Sequence, residues 1–206
     1  MINKYITIIS LLFALFFVSS TYAAKEEGLR CKATISTSDD FEPETFPRSN
    51  NLLRRQGDIE DICGTRIILK GKVVDENCVP VLDAKIFAWQ KGCDGKYHYT
   101  PLRDVAKNSG LIAEKSKSGF IGAGTASTDN KGEFYLITSF SGHNNNISLR
   151  VEHPRFETME TKLFFKNAKA TRTPEDFITF LSDPAEGKTY YEFIIVLPGV
   201  NKMRSF

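Results

Sequence analysis

Long hydrophobic runs, one-sided charge and paired cysteines are all scarce in this 206-residue chain. Beyond residue 24 no apolar stretch approaches the roughly 20 residues that a membrane-spanning helix needs, so the sequence does not encode a polytopic membrane protein. Lys and Arg number 27 against 25 Asp and Glu, a formal charge of +2. That balance leaves no electrostatic footprint for a nucleic acid or a strongly acidic partner. None of the four cysteines falls in a C-x-x-C pair and there are three histidines, so a zinc site of ordinary spacing cannot be written. There is no G-x-S-x-G elbow, no H-E-x-x-H and no phosphate-binding glycine loop, which removes the usual hydrolase and nucleotide-dependent readings. With 41% hydrophobic and 25% charged residues, the composition is that of an ordinary folded domain.

The N-terminus has a different texture. Lys4 is the only charge before residue 25 and precedes an apolar run from Ile6 to Val18, broken by Thr7 and Ser10. Small residues at Thr21 and Ala23 follow. A basic start, a short apolar stretch and a small-x-small site make residues 1–23 a secretory signal peptide, and no further membrane span is expected after its cleavage. The chain is expected to be exported, to a periplasm or out of the cell. In an oxidising compartment Cys31, Cys63, Cys78 and Cys93 read as disulfide partners.

Residues 24–63 are polar, broken by Pro43, Pro47 and Gly57, and read as an extended N-terminal arm. From residue 64 to about 200 the texture becomes short β-rich runs separated by turns. Runs at 67–74, 85–90, 120–128, 133–139, 147–153, 161–165 and 190–197 are expected strands, with a further one beginning at 96–99. Asp129-Asn130-Lys131-Gly132 is a turn between two of them. The stretch from Thr100 to Gly119 is a long loop, and long loops in compact domains are often functional. Thr173-Pro174-Glu175-Asp176 supplies an N-cap, a first-turn proline and acids, so 174–181 is expected to be the one short helix. The fold class is all-β: an antiparallel β-sandwich with an extended arm. If 67–74 and 85–90 pair antiparallel, Cys63 and Cys93 lie at the same end of the pair. Cys78 then lies at the other, roughly 30 Å away along a nine-residue strand, which pairs Cys63 with Cys93 and leaves Cys31 for Cys78. Lys115, Lys117, Lys162, Lys166, Lys169 and Arg172 read as a solvated face. Asn146-Ile147-Ser148 has the form of a glycosylation sequon at the head of an expected strand.

Three blocks carry a resemblance. The first is Gly71-Lys72-Val73-Val74-Asp75-Glu76-Asn77-Cys78-Val79-Pro80-Val81, followed by Asp83-Ala84-Lys85-Ile86-Phe87-Ala88-Trp89-Gln90 and Gly95-Lys96-Tyr97. The second is Gly124-Thr125-Ala126-Ser127-Thr128-Asp129-Asn130-Lys131-Gly132-Glu133-Phe134 and the third Thr161-Lys162-Leu163-Phe164-Phe165, before a closing strand at 193–197. In this order the chain resembles the intradiol ring-cleavage dioxygenases across about residues 64 to 198. That resemblance implies a non-haem Fe(III) enzyme in which two tyrosinates and two histidines hold the metal, and an aromatic diol binds through both oxygens before O₂ cleaves the ring. Tyr97 falls on the first tyrosine of the pattern. The second tyrosine is matched by His143, in Ser141-Gly142-His143, and the two histidines by Asn146 and Ser148. Tyr97 and His143 are thus the candidate metal ligands, with His98 as a further nitrogen, and the implied cofactor is Fe(3+) if the chain is active. His153, before Pro154, reads as structural. The other reading is a non-catalytic exported β-sandwich that keeps the fold as a binding protein.

Overall fold

A computed structural model of the chain describes residues 30–54, 64–114, 119–141, 143, 146–165, 177–182 and 189–199. The expected signal peptide and Cys63 lie outside these residues. The chain runs β1 (Thr65–Asp75), β2 (Lys85–Trp89), a one-turn helix α1 (Asp104–Lys107), β3 (Ala123–Ser127), β4 (Glu133–Phe140), β5 (Asn146–Glu152), β6 (Met159–Phe165), β7 (Phe177–Ser182) and β8 (Thr189–Leu197). The spatial order is β3-β2-β5-β6-β7-β8-β1-β4. Pairing is antiparallel except between β1 and β8 and at a two-residue β6–β7 junction, Phe164 with Phe177 and Phe165 with Ile178. The junction divides the order into two halves that face each other as a sandwich.

Period-2 burial builds the core between them. From β1 come Ile67, Leu69 and Val73, from β2 Ile86 and Ala88, from β4 Phe134 and Leu136, from β5 Ile147, Leu149 and Val151. Each large apolar side chain taken out of water here contributes about 1.5–3 kcal/mol. Gly71 is part of this core by omission. A Cβ on it would stand 2.2 Å from the Phe134 ring and 2.8 Å from that of Phe193, so the missing side chain is what lets two aromatics meet edge to face over β1.

Three expectations are corrected. Residues 177–181 of the expected helix belong to strand β7; residues 174–176 lie outside the described residues. Phe177-Ile178-Thr179-Phe180 is aromatic and β-branched and fits a pleated surface, and residues 179–182 pair with β8, which outweighs the capping signal ahead of the segment. The one described helix, α1, sits instead inside the 100–119 loop. β1 and β2 do not pair: β1 lies between β8 and β4, and β2 between β3 and β5. Tyr97 belongs to no strand but to a single bridge with Ile112.

The N-terminal arm lies across both halves. Cys31 is disulfide-bonded to Cys78 with Cα atoms 5.3 Å apart, which pins it to the β1–β2 turn, where Cys78 adopts φ 63°. Cys93 is disulfide-bonded as well, and its sulfur lies 3.2 Å from where a Cβ on Gly64 would stand. The arm crosses β8, with Thr34 N–H donating to the Val196 carbonyl, and then β6, with Thr37 N–H donating to Glu160. Further on, the Asn50 and Ser49 carbonyls accept from Ile137 of β4 and Thr125 of β3, while Leu52 N–H donates to Ile137. One segment therefore covers both outer edges, whose unpaired N–H and C=O groups would otherwise invite pairing with another chain.

Candidate functional site

The odd residues of β2, the even ones of β5 and the even ones of β6 face away from the sandwich core, and register places them in rows. Trp89 is opposite Ser148 and Ser148 opposite Lys162; Phe87 is opposite Arg150 and Arg150 opposite Glu160. An outer face should be wet, yet Trp89 and Ser148 are buried. The arm and the 100–114 loop cover them. Trp89, Tyr97 and Ala123 form a second apolar cluster, joined by Phe41 and Phe46 of the arm and by Tyr99, Leu111 and Ile112 of the loop. Tyr97 is held from its backbone: its N–H donates to the Leu111 carbonyl and its own carbonyl accepts from Ala113. The Phe41 ring lies flat on the Tyr97 ring, centroids 4.5 Å apart and 13° between planes, with the Lys91 ammonium 5.5 Å from the ring centroid.

At the middle of this face stands Asp39 of the arm. Its carboxylate accepts from the Ser148 hydroxyl, from Phe41 N–H at 2.9 Å and from the Lys162 ammonium at 3.0 Å. Burial alone would raise the Asp39 pKa; the Ser148 hydroxyl, the Phe41 N–H and Lys162 outweigh it and hold the carboxyl below its ordinary value. The same carboxylate acts on both phenols in the opposite sense. Burial first, and the Asp39 charge second, push Tyr97 above the ordinary tyrosine value. Tyr99 is driven up by burial, then by Tyr97 and by Asp39. Around this centre, Glu42 meets Arg150 at 3.0 Å, Asp40 meets Arg103 at 3.0 Å, and the Arg150 guanidinium lies 4.2 Å from the centroid of the Phe87 ring. Trp89 Nε1 and the Tyr99 hydroxyl are buried without a hydrogen-bond partner among the described residues.

The site residues read from the sequence are only partly brought together. Tyr97 is in the cluster, and Ser148 is at its centre as a hydroxyl donor to a carboxylate. His143 is exposed, its backbone N–H on Ser141 Oγ and its Cβ beside Gly95. His98 is turned to the other side of its segment, bonded to Asp94 at 3.1 Å and edge-on to Phe120. His153 caps its turn by accepting the Arg155 N–H. Asp39 and Tyr99 were not singled out, and Lys162, read as part of a solvated face, is instead the cation of the central pair.

The ferric centre implied by the resemblance needs deprotonated phenolate oxygens and neutral imidazole nitrogens. These residues do not fit it. Asn146 and Ser148 occupy the positions that the resemblance gives to the two imidazoles and carry no basic nitrogen, His143 is exposed, His98 is bonded to Asp94, and the central Asp39 carboxylate is already engaged by an ammonium and a hydroxyl.

No protein-family model matches the chain. A Rickettsia conorii protein named "Putative dioxygenase" is 39% identical over 195 residues, 92% of each chain, and a Rickettsia felis protein of the same name is 38% identical over 195 residues, again 92% of each. Among solved structures, the dioxygenase domain of a dioxygenase carbohydrate-binding protein fusion from Streptomyces sp. SirexAA-E matches 82% of this chain and 100% of its own at TM-score 0.61 and 19% identity. The 3-chlorocatechol 1,2-dioxygenase of Rhodococcus opacus 1CP matches 85% of this chain and 75% of its own at TM-score 0.59 and 19% identity. The chain is a member of this dioxygenase family, built on the intradiol ring-cleavage fold. Fold membership carries no chemistry by itself. No helix among the described residues is long and apolar enough to cross a membrane.

Proposed function

We propose that the chain is an exported, non-catalytic member of the dioxygenase family that uses the intradiol fold as a binding scaffold. The observation carrying this reading is the Lys162–Asp39–Ser148 arrangement: Ser148, at one of the two positions where the resemblance calls for a histidine, donates its hydroxyl to Asp39, which Lys162 also holds. The exposed position of His143, away from the Tyr97 cluster, supports it. Export rests on residues 1–23 and is supported by the Cys31–Cys78 disulfide, since disulfides persist outside reducing compartments.

The competing reading is an O₂-dependent, iron-containing ring-cleavage enzyme acting on an aromatic diol, with Tyr97 and His143 among its ligands. The names of the rickettsial relatives and the position of Tyr97 in the family pattern favour it. Protein expressed with added iron separates the two. Absence of stoichiometric iron, of a tyrosinate-to-iron absorption band and of O₂ uptake with catechol or hydroxyquinol is the expected result. Stoichiometric iron with a visible band lost in Tyr97→Phe would overturn the binding-scaffold reading.

A further inference from the structure

We propose that arm residues 36–43 are an internal ligand, and that the groove they fill is a receptor for a peptide in which acidic residues flank an aromatic one. The inference rests on the reading above that this face is a binding surface and not a ferric centre.

The sequence Asp39-Asp40-Phe41-Glu42 meets the groove residue by residue. Its three acids each find a cation from a different element: Asp39 on Lys162 of β6, Asp40 on Arg103 ahead of α1, Glu42 on Arg150 of β5. The Asp40–Arg103 pair is half exposed on both sides and adds register more than affinity. The other two are largely desolvated, with side-chain exposures of 4% and 28% for Asp39 and Lys162 and 11% and 20% for Glu42 and Arg150. Phe41, between the acids, stacks on Tyr97. Main-chain bonds align the segment, Glu44 N–H to the Thr100 carbonyl and Leu102 N–H to that of Glu42. Charge, stacking and backbone pairing together are the features by which extended peptides are read.

Two observations separate a receptor from a strap that merely packs. The groove holds more donors than the arm uses: Trp89 Nε1 and the Tyr99 hydroxyl are buried and unpartnered among the described residues, although buried donors are ordinarily satisfied. Both would take an acceptor, so an occupant that offers one more acceptor beside its aromatic residue than the arm does would satisfy them. The arm is also latched covalently upstream of its acidic stretch, at Cys31–Cys78. A tethered segment competes with an external one at an effective concentration in about the millimolar range; weakening either its central contact or its latch hands the groove to a peptide in trans.

The test uses a fluorescently labelled copy of residues 36–43, Ser-Thr-Ser-Asp-Asp-Phe-Glu-Pro, titrated by polarisation against three forms of the protein: wild type, Asp39→Asn, and Cys31→Ser with Cys78→Ser. Each is first shown folded by circular dichroism, and reduced wild type stands in for the cysteine variant if that one does not fold. Both altered forms should bind the peptide at least tenfold more tightly than wild type, and Lys162→Met added to either should abolish the gain. A scrambled peptide of the same composition should not bind. No gain in the folded altered forms, a gain that survives Lys162→Met, or equal binding of the scrambled peptide would overturn the inference. Iron content measured on the same samples reads the other proposal: iron-free protein that ignores the peptide refutes only the receptor, whereas stoichiometric iron refutes the binding scaffold itself.

Discussion

Replacing Lys162 by Met and Asp39 by Asn should have unequal costs, and burial sets the order. The Asp39 side chain is 4% exposed and that of Lys162 28%. Lys162→Met leaves a carboxylate with no route to water, holding only the Ser148 hydroxyl and the Phe41 N–H. Breaking a fully buried pair costs about 3–5 kcal/mol; with the ammonium partly in water, about 2–3 kcal/mol is the discounted figure. Asp39→Asn keeps acceptors for Ser148 and Phe41 and leaves Lys162 able to turn toward solvent, so about 1–2 kcal/mol is expected. The double variant should cost less than the sum, with a coupling energy of about 1–2 kcal/mol.

Acid distinguishes this electrostatic account from simple loss of packing. In the wild type the Asp39 carboxyl is depressed, so its contribution is present above the unfolded value of about 3.9 and is lost as pH falls through the lower folded value. In Lys162→Met the lowering effect of the ammonium is gone while the opposing effect of burial remains. The carboxyl of that variant titrates higher and takes up a proton first. The gap between wild type and Lys162→Met should therefore narrow from neutrality toward about pH 4, while that of Asp39→Asn should stay flatter down to the same pH. Urea unfolding midpoints at pH 7 and at mildly acid pH measure both. A Lys162→Met cost no larger than that of Asp39→Asn, or a gap unchanged by acid, would refute the reasoning.

Tyr97 and Tyr99 should be among the last of the seven tyrosines to ionise, because both are raised in the fold. A raised phenol contributes stability below its unfolded value, about 10, and loses it above, so their near-ultraviolet phenolate signal should appear together with alkaline unfolding. A Tyr97-dependent signal, absent in Tyr97→Phe, that titrates below the ordinary value in folded protein would contradict this. Gly71→Ala should destabilise by about 1–3 kcal/mol through overpacking, since its Cβ meets the Phe134 ring at 2.2 Å. A thermal midpoint equal to wild type would show that the two aromatics move aside freely.

The strands were legible because alternation and turn residues are local signals, and seven of the eight fall where the sequence places them. β7 was not, because Thr173-Pro174-Glu175-Asp176 is a strong local helix start while the pairing that makes 177–182 a strand comes from β8. Tyr97 and Ser148, which the motif comparison singled out, both lie in the buried region under the arm. What Ser148 meets there was not legible, for a geometric reason. Ser148 and Asp39 are separated by 109 positions, and no spacing rule connects a carboxylate in a polar arm with the outer face of β5.

The register of β5 on β6 offered a way in. Once Asn146–Glu152 and Met159–Phe165 are taken as an antiparallel pair, Ser148 falls opposite Lys162, and a lysine beside a hydroxyl on a face that also carries Trp89 asks for an anion. The arm has one acidic stretch with an aromatic residue inside it, Asp39 to Glu42. Charge complementarity between arm and sheet, sought after strand pairing is assigned, is thus the signal that could have found the centre of the site. It also bears on the near-neutral total: Lys162, Arg150 and Arg103 are each met by an acid of the arm, so a charge of +2 conceals local charge pairing between arm and sheet.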